Sequence, residues 1–458
     1  GQDRFNNVSL TRTGTPIIYK IANKDCQNYG AEGFSSNLLE SSFFNQGING
    51  YFDLYFGDDE LAISMKASYV SKERPLNICD QDSIDKDTVE GVLLEMATHI
   101  DTAATFYQSL ANKVELNKYA INIHPLEKSI IRFDASQAVK DELAKSEDFD
   151  QEIPFGVESY ATDNASWSYD GDDQFIFTIY PRSEEARDAN ISKPLWESKW
   201  VLAHEFCHHV FYGHMKDVFG DVDESNLPEG IPLPESSMSE GFYRYYGKSQ
   251  QKMISLLKSR NGISAATATS SLAAINEGFA DICGSYFSGL DKFEEGLACF
   301  EKDRDIRSSE FRDGIKKQLT AEALIDFANQ ETEIKDSDNQ TCGGYTYSDP
   351  HIIGAIIANG AHSLIDLKQI DRVKKSEILL TWLNTFKNEF QQGEWGSISV
   401  IRASLVSLIN TIAAYGREDG KAKLSTEECK AIKYSFPKFY DDWKSDKSSL
   451  PVVATSCL

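Results

Sequence analysis

Basic charge is what this sequence has least of. Its 458 residues carry 46 Lys and Arg against 71 Asp and Glu, a formal net charge of −25 at pH 7. Nucleic acids and anionic membrane surfaces are bound by Lys and Arg that neutralise phosphates, so neither is expected as a partner. The same balance favours solubility and cationic substrates, and says nothing about fold. Also missing is an apolar run long enough to span a bilayer. The nearest, "HIIGAIIANGAHSLI" (351–365), is interrupted by His351, Asn359 and His362 and reads as a buried helix. The opening "GQDRFNN" has neither an n-region nor an h-region, so no signal peptide is visible. No two cysteines are spaced CxxC, which argues against a zinc ribbon or a thioredoxin-like site. There is no internal repeat and no low-complexity tract.

What is present is a folded-protein composition, 41% hydrophobic and 26% charged, long enough for two or three domains. Eight cysteines are spread singly, and Cys26 with Cys79, Cys299 with Cys342, and Cys429 with Cys457 suit disulfides across loops. Such bridges belong to oxidising compartments. The expectation is therefore an extracytoplasmic protein, secreted or held at the cell envelope, with its leader removed. Eight reduced thiols in a cytosolic enzyme are the alternative.

Residues 1–85 alternate in short apolar runs, as in "GYFDLYFGDDELAISMKASYV", and predict strands. "DKDTVEGVLLEMATHIDTAATFYQSLA" (85–111) has helical spacing and an acidic start. "NASWSYDGDDQFIFTIYP" (164–181) predicts an edge strand, a turn and a second strand. From about residue 195 the pattern is helical, except for an acidic, Pro- and Gly-rich excursion over 217–262. The chain divides on this reading into a β-rich extension or part of the N-lobe (1–85), an N-terminal catalytic lobe (86–215) and a helical C-terminal lobe (216–458).

Chemistry concentrates in "KWVLAHEFCHHVFYGHM" (199–215), which holds four of the eight histidines. On a helix His204 and His208 are one turn apart on one face, while His209 points about 120° away and His214 lies beyond. "HEFCH" is thus an HExxH: two imidazoles for a divalent metal, and Glu205 beside them as a general base on a metal-held water. Zinc suits two imidazoles and a carboxylate. A five-residue motif also arises by chance in buried helices. A second constellation, "AAINEGFADICG" (273–284), decides between these readings. Glu277 and Asp281 are four apart on one face of an otherwise apolar, small-residue run, where unpaired charge is costly. Glu277 can be the third ligand, and Asp281 can accept the free ring N–H of a ligand histidine. Cys207 flanks the ligand face, as a buried thiol or bridged to Cys283.

HEFCH followed by NEGFADICG resembles the gluzincin metalloproteases, and specifically the thermolysin-like group. The resemblance implies an α+β fold of two lobes, mixed α/β and then α-helical, with the active-site helix between them. It implies one catalytic zinc and a peptide or protein substrate. "NASW" resembles the edge-strand segment that holds substrate as an added strand, with Asn164, Ala165 and Trp167 as the matching residues. "SDPHIIGAIIANGAHSLI" resembles the segment that starts with a catalytic histidine. Asp349 reads there as N-cap and Pro350 as N1, placing His351 to donate to a developing oxyanion. Ile306-Arg307-Ser308 is similar to a motif whose arginine binds a peptide carbonyl, although Arg304 and Arg312 lie close by. Val201, three before the first ligand, and Ile306 imply a hydrophobic pocket for the residue after the cleaved bond.

Several positions depart from the family pattern. The span from His208 to Glu277 is longer than in thermolysin-like enzymes, and the 217–262 loop accounts for the excess. The family's oxyanion-binding tyrosine has no counterpart before Glu277, unless Tyr243, Tyr245 or Tyr246 folds in. Trp200 stands where the family has an acidic calcium ligand, so calcium is not supported. The function implied is a zinc endopeptidase cutting before a hydrophobic residue, as a monomer by default. An aminopeptidase on the same site, a catalytically silent zinc-binding surface protein, and a precursor blocked by residues 1–85 or 217–262 are the other readings.

Overall fold

A computed structural model spans residues 1–458. It describes side chains chiefly over 95–119, 195–215, 274–292, 304–307, 353–388, 403–416 and 422–437, at His351 and at isolated positions such as Ala165 and Trp167, with backbone elements beyond these. The chain divides into two units. One comprises Gly1–Thr98, Lys118–Ser166 and Ile176–Glu197, and the other His99–Asn117, Trp167–Phe175 and Ser198–Leu458.

In the first unit, strand Ile17–Ile21 pairs antiparallel with Leu39–Phe44 and parallel with Lys72–Leu76. Asn49–Gly57 and Glu60–Ser68 form an antiparallel pair with Tyr51 opposite Lys66. These pairings do not amount to the lobe expected from the sequence. The thermolysin-like two-lobe α+β fold with a mixed α/β N-terminal lobe does not hold: the best-described part of the chain is 75% helix and builds no sheet. Alternating apolar residues set strand conformation, but a sheet becomes a lobe only when its apolar face is buried against a second layer. Most of the burial that is described is helix on helix, with Tyr119, Ile121, Trp167 and Phe177 the buried strand residues among those described.

The second unit contains most of that helix. α1 (Val89–Gln108) enters it from the first unit, and within it lie α2 (Lys199–Phe219), α3 (Ala265–Ser288), α4 (Pro350–Asp366), α5 (Arg372–Gln392), α6 (Val400–Ala414) and α7 (Thr426–Ser435). α3 is the central helix, packed between α2 and α4. Its residues Ile275, Phe279 and Ile282 are buried, as are Phe206 and Val210 of α2 and Ile353, Ile356 and Ile357 of α4. α2 starts at a buried Ser198, whose Oγ accepts from Val201 N at 3.0 Å and so satisfies one of the free amides of the first turn. α4 starts at Pro350, whose missing N–H costs nothing at the first helical position; Asp349 lies outside the described residues. α7 is closed by a capping box between Ser425 and Glu428, and Cys429 just inside it is bridged to Cys457.

Two glycines let the three helices approach as closely as they do. A Cβ on Gly284 of α3 would stand 2.9 Å from the backbone of His204, and one on Gly354 of α4 would stand 2.8 Å from Cβ of Glu277. Close approaches of α3 to its neighbours thus involve two of the residues that the sequence marks as metal ligands.

Candidate metal centre

α2 projects His204 and His208 from successive turns, their rings nearly perpendicular at 88° and 4.7 Å apart. α3 supplies the facing wall through Asn276, Glu277 and Asp281, all buried. His204 Nε2 lies 3.3 Å from Glu277 Oε2, and His208 Nε2 lies 3.6 Å from Glu277 Oε1. The two Nε2 atoms are 3.1 Å apart. One ligand atom from each of His204, His208 and Glu277 falls within 4.8 Å of the others, so this buried group could hold a metal ion.

The surroundings fix how the rings bind. Asp281 Oδ1 is 3.0 Å from His204 Nδ1, and Asn276 Oδ1 is 3.0 Å from His208 Nδ1. Both acceptors draw the ring proton to Nδ1 and leave an Nε2 lone pair facing the centre. Two lone pairs and a carboxylate oxygen that converge in this way need a cation, either a proton or a metal. Glu277 Oε2 is itself buried, with His204 Nε2 at 3.3 Å and Arg304 Nη2 at 3.5 Å. Charge points the same way. Glu205, Glu277 and Asp281 are buried carboxylates, and Arg304 is the cation at their centre, with 15% of its side chain exposed. With all three ionised and the imidazoles neutral, three negative charges against one positive leave a deficit of two, which a divalent ion would neutralise.

The titration behaviour reflects this crowding. Burial, the largest effect, and the Arg304 charge pull His204 down. Hydrogen bonds to Asp281 and Glu277 outweigh them and raise it to about 9. Burial lowers His208 to about 4 in spite of the Glu277 charge. Burial lifts Glu205 to about 7, with His204 pulling against it and Glu277 adding to it. For Glu277 burial pushes upward, but the charges of His351 and His208 and the His204 hydrogen bond hold it well below the usual carboxylate range. These values belong to the metal-free protein, in which a proton on His204 takes the place a metal ion would fill.

The remaining residues singled out in the sequence are placed as follows. Glu205 is buried, within electrostatic reach of His204, Glu277 and His351. His351, in the first turn of α4, is exposed and carries Nε2 to 3.5 Å from Glu277 Oε1. Val201 is buried on α2. Ile306 is buried, and its carbonyl accepts from Asn359 Nδ2 at 2.8 Å. Arg307 turns outward, 66% exposed, to pair with Asp291 at 3.0 Å. Trp167, in strand Ala165–Tyr169, donates from Nε1 to His209 Nδ1 at 3.0 Å, and Ala165 is half-buried. Asn164, the 217–262 loop beyond Phe219, and Tyr243, Tyr245 and Tyr246 lie outside the described residues. So do the side chains of the expected pairs Cys26–Cys79 and Cys299–Cys342.

His209 is buried between Trp167 and the carbonyl of Asn117, and His214 between Tyr107 and Asn384; neither reaches the centre. Cys207 is bridged to Cys283, joining α2 to α3 beside the ligands. Three residues at the centre were not assigned a role there from sequence. Asn276 holds His208. Arg304 binds the Asp281 carboxylate through Nε at 3.1 Å and through Nη2, and Nη2 lies 3.5 Å from Glu277 Oε2. Trp200 stacks on His204. Asn276 carried one legible signal, a polar residue beside the third ligand in an apolar run.

No protein-family model, curated protein or solved structure matches this chain. Among the described residues no helix is long and apolar enough to cross a membrane.

Proposed function

We propose that this protein is a zinc-dependent endopeptidase with a gluzincin-type site. The observation that carries the reading is the convergence of His204, His208 and Glu277, from two helices, with Glu205 one residue after the first ligand. Two imidazoles and a carboxylate are a zinc-type donor set, and the two-charge deficit of the pocket favours a divalent ion. When bound, zinc supplies Lewis acidity that polarises a peptide carbonyl and acidifies water.

The protein's own groups do the rest. Glu205 takes the proton of the attacking water and returns it to the leaving amine. His351 donates to the oxyanion that develops on the scissile carbonyl. Asp281 and Asn276 hold the ligand rings in their working tautomers. Cleavage before a hydrophobic residue, through Val201 and Ile306, belongs to the same proposal. The disulfides Cys207–Cys283 and Cys429–Cys457 support an extracytoplasmic location.

Metal analysis together with digestion of N-terminally blocked peptides tests this. The expected result is about one zinc per chain and internal cleavage of blocked peptides. Cleavage restricted to free N-termini would make it an aminopeptidase, and zinc without turnover would make it a binding protein.

A further inference from the structure

Each ligand imidazole must aim its Nε2 lone pair at the metal within about 10–20°. A hydrogen bond at Nδ1 fixes the tautomer and one edge of the ring, but it leaves the ring free to tilt about that contact. His208 and His204 both have the edge contact. His204 has something more. The indole of Trp200 lies flat on its ring, with centroids 5.2 Å apart and planes 14° from parallel. Trp200 is one turn before His204 on α2 and is fully buried. Its Nε1 donates to Ser285 Oγ at 2.9 Å, which ties the indole to α3, the helix that brings Glu277 and Asp281. The guanidinium of Arg304 lies 5.5 Å from the centroid of the same indole while it binds Asp281. One indole therefore touches the first metal ligand, the helix bearing the third ligand, and the cation that partners Asp281.

We infer that Trp200 is a positioning residue of the metal centre, setting the tilt of His204 and the place of Arg304. This rests on the reading of His204 as a zinc ligand. It adds to that reading a residue that neither binds the metal nor touches the substrate. A buried tryptophan that served only as core would stabilise the fold without affecting how tightly the folded protein holds zinc.

The test is zinc affinity of the full chain, by competition with a chromophoric chelator, together with the visible absorption of the cobalt-substituted protein. The variants are Trp200→Leu, Trp200→Phe and Ser285→Ala. Loss of a group that orients a ligand weakens metal binding by about 10–100-fold, and Trp200→Leu should fall in that range with displaced cobalt bands. Trp200→Phe keeps an aromatic face but loses the tie to Ser285. It should recover most of the affinity, to within about threefold of wild type, as should Ser285→Ala. Wild-type affinity and cobalt spectrum in all three would overturn the inference. If Trp200→Leu does not fold, the other two decide: a shifted cobalt spectrum in either upholds it, and wild-type spectra in both overturn it. A wild-type chain that binds no zinc overturns both this inference and the function it rests on. A chain that binds zinc but cleaves nothing overturns the peptidase alone, because affinity is what reports on Trp200.

Discussion

Replacing Gly284 with alanine would add one methyl group where α2 and α3 touch. The new Cβ would meet the Cα and N of His204 at 2.9 Å, against 3.4 Å or more for an ordinary contact. Something must therefore move by about 0.5 Å, and backbone cannot swing aside as a flexible side chain does. The Cys207–Cys283 bridge, one residue from Gly284 on α3 and three from His204 on α2, resists simple separation of the helices. The displacement then falls on His204 itself. Metal–ligand distances tolerate about 0.2 Å, so a shift of that size should weaken zinc binding by about tenfold or more. Overpacking of this kind also costs about 1–3 kcal/mol of stability. Thermal melts of the metal-free chain and chelator competition of the loaded one measure the two effects separately. Unchanged melting and unchanged zinc affinity would refute the close approach of α2 and α3 at His204, and with it the account of how these helices assemble the centre.

Two further outcomes follow from the same geometry. His204 carries a proton up to about pH 9 in the metal-free protein, and that proton must leave before Nε2 can bind metal. Zinc affinity should therefore rise as pH increases, about tenfold per unit while the group stays protonated. Calorimetry near neutral pH in two buffers of different ionisation enthalpy should find about one proton released per zinc, and no release would contradict the assignment. By the same sign, the stabilisation of the metal-free fold by the His204 charge is present below the unfolded-state value and lost as pH rises through about 9. Removing the bridge with the double variant Cys207→Ala, Cys283→Ala opens a link spanning 76 residues and should cost about 4 kcal/mol, read by denaturant unfolding.

Helical periodicity made much of the centre readable in advance. His204 and His208 share a face because they are four apart, and Glu277 and Asp281 do so for the same reason, so each helix announced its own contribution. How the two helices meet was not readable. Gly284 and Gly354 are ordinary small residues in sequence, and their role is set by what lies across the interface. Trp200 looked like a departure from a calcium-binding position, because stacking on a ring one turn away depends on side-chain rotamers. The motif Ile306-Arg307-Ser308 directed attention to Arg307. In the 304–307 turn, however, Arg307 reaches Asp291 while Arg304 reaches Asp281. The mixed α/β lobe failed for a different reason. Period-two alternation describes a strand's own conformation and carries no information about the layer that would bury it. Cys207 could be placed beside the ligands from sequence, as a buried thiol or bridged to Cys283, and the helix pairing decides for the bridge.

The central claim is that Glu205 performs proton transfer at a zinc held by His204, His208 and Glu277. Glu205→Gln preserves the size of the side chain and removes its basicity. The decisive measurement is zinc content and cleavage of an internally quenched, N-terminally blocked peptide, wild type against Glu205→Gln. The account predicts equal zinc in both proteins and turnover in the wild type alone. Peptidase activity retained in the variant at full zinc occupancy would contradict it.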